Sequence, residues 1–509
     1  MPEPSGSPVS RRTVLTGAAV LGGTLMAPGM ATASRRLDDP FTLGVASGDP
    51  SPDGFVLWTR LAPRPLDDNG LGGMPDRVVP VEWEIAEDER FGRIVRRGVE
   101  DATPQSAHTV HVEPAGLEPG REYFYRFRAD GHLSPAGRTR TAPAPGLLGP
   151  PLTMCFASCS NWGAGYFTAY RRLAEDQPGL VLHLGDYQYE GPTGPTAVRQ
   201  VAGAETMTLA DYRRRHAQYK TDPDLQFAHS VAPWLVVFDD HELENNWADE
   251  VPEQPDPNFL ERRKAAFQAY YENMPLRRTS APQGIDMQLY RRIQWGGLAT
   301  FHMLDTRQYR DDQLSGDGAE TGRLDTRRTI VGADQQQWLL DGFRQSSARW
   351  DVLGQQVFFA ERDLAAGPEE RHSMDAWDGY AANRDRIVAG WVDAGVRNPV
   401  VLTGDVHRHW AGEIKQDYDR PDAPSVGVEL VATSITSGGD GDDGSNVALD
   451  ENPHLKFYKN RRGYVRTLIS GGELRADFRV LPYVTSAGAP ARTEASFVVA
   501  DGDSTLHPA

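Results

Sequence analysis

A run of apolar residues that ends in a sharp turn and an acidic residue is the strongest constraint on this fold. Residues 180–190 read LVLHLGDYQYE, and four of the first five are bulky and apolar. Such a run is typical of a strand that is covered on both faces of a sheet. Gly185 lets the backbone turn, so Asp186 is predicted to lie just beyond the strand, where open α/β sheets place ligand sites. Tyr189 follows three residues later, close enough for its phenol to reach the same ion.

Polar residues also follow three other predicted strands. Those strands cover residues 152–157, 234–238 and 400–403, and the segments after them read SCSNW, DDHE and GDVHRHW. Asp often caps a following helix, which would explain one such ending. Four endings together favour a site instead, because strands of an α/β sheet present their carboxyl ends at one edge. The side chains predicted to meet there are Cys159, Asp186, Tyr189, Asp240, Asp405 and His407.

These donor atoms indicate a metal centre with two kinds of ion. A thiolate, a phenolate and an imidazole suit a transition metal, and the anionic donors favour an oxidised one such as Fe(III). Carboxylates and amide oxygens suit calcium or magnesium. Asp186 lies between the two sets in the sequence and could bridge them. Two neighbouring cations are suited to displacement at phosphorus, because they acidify water and neutralise phosphoryl oxygens.

The pattern of strands and helices predicts two domains and an α/β fold. In residues 152–500, apolar strands alternate with amphipathic helices, which indicates a layered α/β domain with a covered sheet. Residues 38–145 instead contain short runs of β-branched and aromatic residues between turn-forming segments, which predicts a small antiparallel β-sandwich. The Ala-, Pro- and Gly-containing segment 138–151 is the predicted linker. A chain of 509 residues is long enough for two cores.

Charge and cysteine content exclude several functions. The formal charge of −18 argues against unassisted binding to nucleic acid or to anionic membranes. Cys155 and Cys159 are the two cysteines, and in an extended segment their Cα atoms would be roughly 13 Å apart, too far for a disulfide. We therefore expect no disulfide scaffold, and we interpret Cys155 as a small buried apolar residue.

The amino terminus predicts export. Residues 10–15 read SRRTVL, an apolar run over 14–27 follows, and Ala31-Thr32-Ala33 offers a cleavage site before Ser34. This pattern is typical of a twin-arginine signal over residues 1–33, and the run is too short for a transmembrane helix. We expect the twin-arginine export machinery as a partner, no transmembrane span, and a mature protein outside the cytoplasm. We also expect a monomer.

The strand endings resemble the metallophosphoesterases. Gly185–Tyr189 is similar to the Gly-Asp-x-x-Tyr motif of purple acid phosphatases, Asp239–Glu242 stands where that family has Gly-Asn-His-Glu, and Gly404–His407 where it has Gly-His-x-His. Cys159 replaces a usual Asp, Asp240 the Asn and Asp405 the first His. These departures, the export signal and the front sandwich resemble the PhoD-type alkaline phosphatases and phosphodiesterases. The segments FASC (156–159), DDHELENN (239–246), WDGY (377–380) and TSITSGG (433–439) extend the resemblance.

The resemblance implies a fold, an activity and a ligand set. The fold would be a two-sheet α/β sandwich behind a fibronectin-like sandwich, and the enzyme would hydrolyse phosphate mono- and diesters with a metal-activated hydroxide. Fe(III) would be held by Cys159, Asp186, Tyr189 and His407, and Ca(II) would share Asp186 and add Asp240 and Asp405. Gln355, Asn161 and Asn245 are weaker candidates, and Asn161 and Asn245 could equally be turn or cap residues.

The remaining polar residues near these motifs leave alternatives open. His241 could hold the phosphate or protonate the leaving group, or it could orient Asp240. Arg408 and His409 could contact phosphate, although a structural salt bridge would equally explain Arg408. His183 and His302 are predicted to lie in the core, and surface or cap positions are predicted for His108, His111, His216, His229 and His372.

Two rival functions share parts of this pattern. Some relatives with the same metal site are secreted phospholipases of the D type, which would need an apolar rim such as the loop 191–207. A secreted calcium-binding adhesion module would use the sandwich and the Asp-rich stretch 437–446, but it has no use for Cys159 and Tyr189 together. That stretch lacks the spacing of an EF-hand loop, so we interpret it as a solvated loop.

Overall fold

Three β-sheets form the framework of the molecule. The computed structural model describes residues 36–316, 319–420 and 422–509, so the predicted export signal over residues 1–33 lies outside the described residues. The strands before residue 145 are β1 Val45–Ser51, β2 Gly54–Arg60, β3 Val79–Ala86, β4 Ile94–Ala102, β5 Thr109–Val112, β6 Glu122–Ala129, β7 His132–Leu133 and β8 Gly137–Arg140. The later strands are β9 Leu152–Ala157, β10 Leu180–Leu184, β11 Pro233–Val237, β12 Arg291–Trp295, β13 Ala299–Met303, β14 Trp350–Gly354, β15 Pro399–Thr403, β16 His409–Lys415, β17 Ser425–Val431, β18 Leu455–Lys459, β19 Gly463–Ile469, β20 Glu473–Val480, β21 Arg492–Ala500 and β22 His507–Pro508.

Helices cover the outer faces of two of these sheets. The α-helices are α1 Thr168–Glu175, α2 Leu209–Lys220, α3 Pro223–Ser230, α4 Phe259–Asn273, α5 Ala319–Gly322, α6 Gly332–Gln345, α7 Ala381–Asp393 and α8 Val447–Glu451. Short 3₁₀ helices occupy Pro104–Ser106, Trp162–Ala164, Arg278–Ser280 and Trp377–Tyr380. None of the helices in the described part of the chain has the length and apolarity that a bilayer span requires.

The two large sheets pack face to face, which confirms the predicted α/β sandwich. One has ten strands in the order β22-β21-β20-β19-β9-β10-β11-β1-β2-β5, and the other has seven in the order β12-β13-β14-β15-β17-β16-β18. Successive residues of a strand face opposite sides, so Val352 and Val400 join the core between the sheets. Leu353 and Val401 point the other way and pack with α6 and α7.

The amino-terminal strands divide between two sheets. β3, β4, β6, β7 and β8 form a separate five-stranded antiparallel sheet, and a core that includes Phe55, Val81 and Tyr125 joins it to β1, β2 and β5. β1 also pairs in parallel with β11 through Ser47 and Pro233. The predicted sandwich is therefore built partly from a sheet that continues into residues 152–500. That residues 38–145 and 152–500 are separate domains joined by a linker at 138–151 stays a prediction.

The carboxyl ends of β9, β10 and β11 meet because these strands are parallel neighbours in one sheet. Leu182 of β10 pairs with Phe156 of β9 and with Leu235 of β11. Gly185 follows β10 with a φ of 104°, and a Cβ atom there would lie 2.4 Å from the Cβ of Asp239. Glycine is therefore required for the two strand ends to approach this closely.

Candidate metal centre

Side chains from the ends of three separate strands converge on one point. One ligand atom from each of Cys159, Asp186 and His407 lies within 4.8 Å of the other two. Tyr189 adjoins the same group, because its hydroxyl donates to Asp186 Oδ2 at 2.9 Å and lies 3.2 Å from His407 Nε2. The structure thus brings together the predicted thiol, carboxylate, phenol and imidazole, although His407 follows β15 of the seven-stranded sheet and not a strand of the same sheet edge.

The backbone of this group is held in an uncommon conformation. Cys159, Asp186, Asp405 and His407 have φ angles of 61°, 55°, 60° and 55°, in the left-handed region that non-glycine residues seldom occupy. Hydrogen bonds hold the turns together, since the Cys159 N–H donates to Gly185 O at 3.1 Å. Such conformations cost free energy and persist where the surrounding structure enforces them, commonly at functional sites.

The acidic groups of the cluster destabilise one another's ionised forms. Burial, reinforced by the charge of Asp186, raises the pKa of the Cys159 thiol well above its ordinary value. Burial and the charges of Asp186 and Cys159 raise the pKa of Tyr189 in the same way. Burial lowers the pKa of His407 to about 3, so its imidazole is neutral and keeps a lone pair for a cation.

A second group of possible ligands shares Asp186. Ligand atoms of Asp186, Asp240 and His241 lie within 4.8 Å of one another. Asp405 belongs to neither group by distance, but burial and the charges of Asp375 and Asp240 raise the pKa of its carboxyl to about 7. Asp405 also acts electrostatically on Cys159, since its charge contributes to the raised pKa of that thiol.

The residues present fit a cation. Oδ1 of Asp186 is buried and receives no hydrogen bond from the described residues, although Asp186 is only 2% exposed. An unpartnered buried carboxylate oxygen is costly unless a cation or donor satisfies it. A metal ion would satisfy this oxygen and would also favour the ionised forms of Cys159 and Tyr189.

Comparisons with known proteins agree with this chemistry. A family model described as PhoD-like phosphatase matches residues 154–478, and one for the N-terminal domain of PhoD-like phosphatases matches residues 27–143. The chain belongs to the PhoD-like phosphatase family. It is 51% identical over 472 residues to alkaline phosphatase D of Bacillus subtilis (strain 168), a match that covers 90% of this chain and 80% of that protein. A solved structure described as "Structure of PhoD" matches with a TM-score of 0.89 and 49% identity over 92% of each chain. The protein is thus a phosphoesterase, and the adhesion-module alternative is wrong.

Two side chains that hold the site together in this PhoD-like phosphatase were not singled out from the sequence. Glu242 accepts hydrogen bonds from the backbone N–H groups of Asp186 (3.0 Å), Tyr187 (2.6 Å) and Asp239 (2.9 Å), and so fixes two strand ends. Ser437 Oγ lies 2.6 Å from the Tyr189 hydroxyl. Both residues belong to quoted motifs, but only the fold reveals their partners.

Glu190 was also missed, and it orients His241. Its Oε2 lies 2.8 Å from His241 Nδ1, and its Oε1 accepts from the Asn245 N–H at 2.9 Å. The imidazole stacks against Tyr189, with 4.1 Å between ring centroids. Because Nδ1 is engaged, Nε2 is the ring nitrogen left without a hydrogen-bond partner among the described residues. Only its sequence position next to Tyr189 could have suggested Glu190.

The three weaker ligand candidates have other partners. Gln355 donates to Val357 O at 2.7 Å and to Thr403 at 2.6 Å, and its oxygen accepts from Trp377 at 3.0 Å. Asn161 caps the 3₁₀ helix Trp162–Ala164 by accepting from Gly163 N at 2.9 Å, and Asn245 donates to Glu253 at 2.6 Å. These contacts give each of the three a structural role, and a part for any of them in metal binding stays a prediction.

Arg408 and His409 differ in position. Arg408 is exposed, and no described carboxylate forms an ion pair with it, so the structure does not bear out the salt-bridge alternative. His409 is fully buried, and its ring nitrogens lie within 3.3 Å of the backbone oxygens of Val431 and Arg479. Its Nδ1 also accepts from Thr433 N at 3.1 Å. A catalytic role for His409 does not fit this environment, because β16 turns the side chain into the core.

Several histidine predictions require correction. His183 and His302 lie in the core as predicted, and Asp351 contacts His302 at 2.9 Å. The predicted surface and cap histidines are instead buried, with exposures of 9% or less: His108, His111, His216, His229 and His372. Tertiary packing against aromatic rings explains part of this difference, since Trp234 stacks on His229 and Tyr271 on His111. No local sequence pattern carries that information.

Proposed function

We propose that this PhoD-like phosphatase hydrolyses phosphate mono- and diesters at a centre that holds Fe(III) and Ca(II). Cys159, Asp186, Tyr189 and His407 would bind the iron. Asp186 would be shared with calcium, which Asp240 and Asp405 would also contact. The observation that carries this proposal is the convergence of a thiol, a carboxylate, a phenol and an imidazole from separate strand ends.

The donor chemistry supports this choice of ions. Thiolate, phenolate and imidazole together suit an oxidised transition metal, whereas oxygen-only ligands suit calcium. When bound, the cations would acidify a water molecule and neutralise charge on the phosphoryl oxygens. Arg307 favours the ionised form of Asp240 that a cation needs, because its guanidinium donates to Asp239 at 2.6 Å and lies 3.8 Å from Asp240.

His241 is the proposed proton donor to the leaving group. Burial alone would lower the pKa of this imidazole, but the charges of Asp240 and Asp186 and the hydrogen bond that it donates to Glu190 raise it well above its ordinary value. Glu190 fixes Nδ1, so the proton that can leave is on Nε2. A protonated histidine beside the reacting phosphate suits general acid catalysis.

The test is a comparison of ester classes on metal-loaded protein. We expect hydrolysis of p-nitrophenyl phosphate and of bis(p-nitrophenyl) phosphate, both abolished by chelation and restored by iron with calcium. Phosphatidylcholine tests the phospholipase alternative, which requires an apolar rim. Met207 is the exposed large hydrophobic residue of the loop 191–207, and the rest of that loop offers no such rim. Cleavage of phosphatidylcholine alone would overturn the proposed substrate class.

Export through the twin-arginine pathway is part of the proposal. Arg11 and Arg12 precede the apolar run, and a pathway that exports folded proteins suits an enzyme that loads metal before leaving the cell. Replacing both residues with lysine should keep the enzyme inside an expressing bacterium. Secretion of the doubly substituted protein at the normal level would contradict this part.

A further inference from the structure

A buried arginine near the proposed metal centre has no carboxylate partner. Arg362 is 8% exposed, and its guanidinium lies 4.1 Å from the ring centre of Phe358 and 5.5 Å from that of Trp410. No residue in the described part of the chain accepts a hydrogen bond from this guanidinium or forms an ion pair with it. Desolvating a cation without a partner is costly, so its retention suggests that an anion binds there.

The fold holds this arginine in place through two buried carboxylates. Glu429 accepts hydrogen bonds from the N–H groups of Phe359 and Ala360, both at 2.8 Å. Asp378 accepts from the N–H of Arg362 itself at 3.0 Å. Three backbone groups of the loop after β14 are thus anchored, and the guanidinium is presented from a rigid support.

The guanidinium lies beside Trp410, three residues after the proposed ligand His407. Asp378, which holds the Arg362 backbone, is three residues after Asp375, and Asp375 pairs at 2.7 Å with Arg307, which lies 3.8 Å from Asp240.

Burial lowers the pKa of Arg362, the charges of Asp378 and Asp405 oppose this, and the nearby cation of Arg408 adds to it. Asp378 already forms an ion pair with Arg384 at 2.6 Å. Glu429, the other buried carboxylate near Arg362, is engaged by two backbone N–H groups and by the Thr403 hydroxyl at 2.6 Å, so neither of these carboxylates pairs with the guanidinium.

We propose that Arg362, with Arg408 at the rim, binds the nonbridging oxygens of the substrate phosphoryl group and favours dianionic phosphate monoesters over monoanionic diesters. This inference rests on the proposed function. A guanidinium matches the geometry of a phosphate and can donate two parallel hydrogen bonds to it. A chain with a formal charge of −18 repels a dianion, so local cations are needed to hold one.

The competing explanation is that Arg362 only covers two aromatic rings. Its side-chain stem could pack on Phe358 and Trp410 without any role in binding. Methionine at this position keeps an unbranched stem but removes the charge, whereas lysine keeps the charge without the planar fork. Arg126 is a matched control, because it lies 4.0 Å over the ring of Phe91 but pairs with Glu84 at 2.7 Å.

The experiment compares R362M, R362K and R126M with the unsubstituted protein, all as metal-loaded full chains. For R362M we expect kcat/KM on p-nitrophenyl phosphate to fall about ten- to a hundred-fold, the value of a lost charge-assisted hydrogen bond. On bis(p-nitrophenyl) phosphate the loss should be smaller, no more than about three-fold, and R362K should lie between R362M and the unsubstituted protein. The inhibition constant of inorganic phosphate should rise with the monoester loss, while metal content and R126M kinetics stay unchanged.

Equal losses on both esters, no loss on either, or loss of metal from R362M would overturn the proposal. If the unsubstituted protein hydrolysed neither ester, the proposed function would fail, and titration calorimetry with inorganic phosphate would decide the role of Arg362 separately. Weaker phosphate binding by R362M than by R126M would then support the proposal. Equal binding by the two variants would refute it.

Discussion

Two acidic regions of this protein behave in opposite ways. The strand-end cluster, defined by Cys159, Asp186, Tyr189 and His407, is buried, and burial raises the pKa of its acidic groups. The acidic loop, residues 440–443, reads DGDD and is the segment whose composition most resembles a calcium site. Yet only the cluster contains a buried carboxylate oxygen without a donor.

The carboxylates of the acidic loop already have partners. Asp443 forms ion pairs with Arg461 and with Lys459, the latter at 2.8 Å, and these contacts lower the pKa of Asp443. Asp442 accepts a hydrogen bond from Asn460 at 2.6 Å. The comparison teaches that the number of acidic residues is a poor indicator of a metal site. A buried carboxylate oxygen that lacks a hydrogen-bond donor is a better indicator of such a site.

Removing one carboxylate from each region should separate them most clearly. We expect Asp186→Ala to lower phosphatase activity by at least about a thousand-fold, because bound cations contribute several kcal/mol to transition-state stabilisation. Iron content should fall with the activity, and Cys159→Ala should behave alike. Asp443→Ala is the control and should keep both metal and rate. A cluster variant with normal metal and rate would remove the distinction.

The histidine beside the cluster should matter for turnover and not for metal binding. We expect His241→Ala to lower kcat by about a hundred-fold, the lower range of general acid catalysis, with metal retained. Glu190→Gln should give a smaller loss, because it only orients the ring. Metal analysis beside steady-state kinetics checks both variants. Loss of metal from His241→Ala would make this residue structural.

Ser437 lies three residues before the acidic loop and contacts the strand-end cluster. Its replacement tests whether residues next to the acidic loop contribute to metal binding by the cluster. Its hydroxyl contacts Tyr189 at 2.6 Å and the backbone oxygen of Cys159 at 3.0 Å. Groups that orient metal ligands typically contribute about ten-fold or more to metal affinity. We therefore expect Ser437→Ala to bind iron about ten-fold more weakly. A competition titration with a chelator measures this, and unchanged affinity would place Ser437 outside the site.

Removing the metal should expose opposite pH dependences in the two regions. Burial raises the pKa of Asp405 to about 7 and that of Glu242 to about 8, above the values of the unfolded chain. The folded state then binds more protons, so the free energy of unfolding of the chelated protein should fall as pH rises from about 4 to about 8. The lowered pKa of Asp443 has the opposite sign, with stability lost as pH falls.

Calorimetric melting temperatures at several pH values test this difference. Asp405→Asn should reduce the loss of stability that the chelated protein shows as pH rises, while Asp443→Asn should leave that loss unchanged. Reloading with metal should remove most of the loss, because a cation favours the ionised carboxylates. A chelated protein that gains stability over the same pH range would contradict the assignment.

Much of the site could be predicted from the sequence because its strands are short apolar runs. The predicted bounds Leu152–Ala157 and Leu180–Leu184 match the structure, and the ligand candidates follow such strands directly. The contacts of Glu190 and Glu242 could not be predicted, because they join segments more than fifty residues apart. The strand Arg492–Ala500 was also missed, since its first five residues, RTEAS, are polar or small and none of them is buried.

Metal analysis combined with a visible spectrum tests the central claim most directly. The purified, unsubstituted protein should contain iron with calcium and show a visible absorption band from thiolate or phenolate bound to Fe(III). Tyr189→Phe should shift or weaken that band. A colourless, iron-free protein that hydrolyses phosphate esters at full rate would contradict the account.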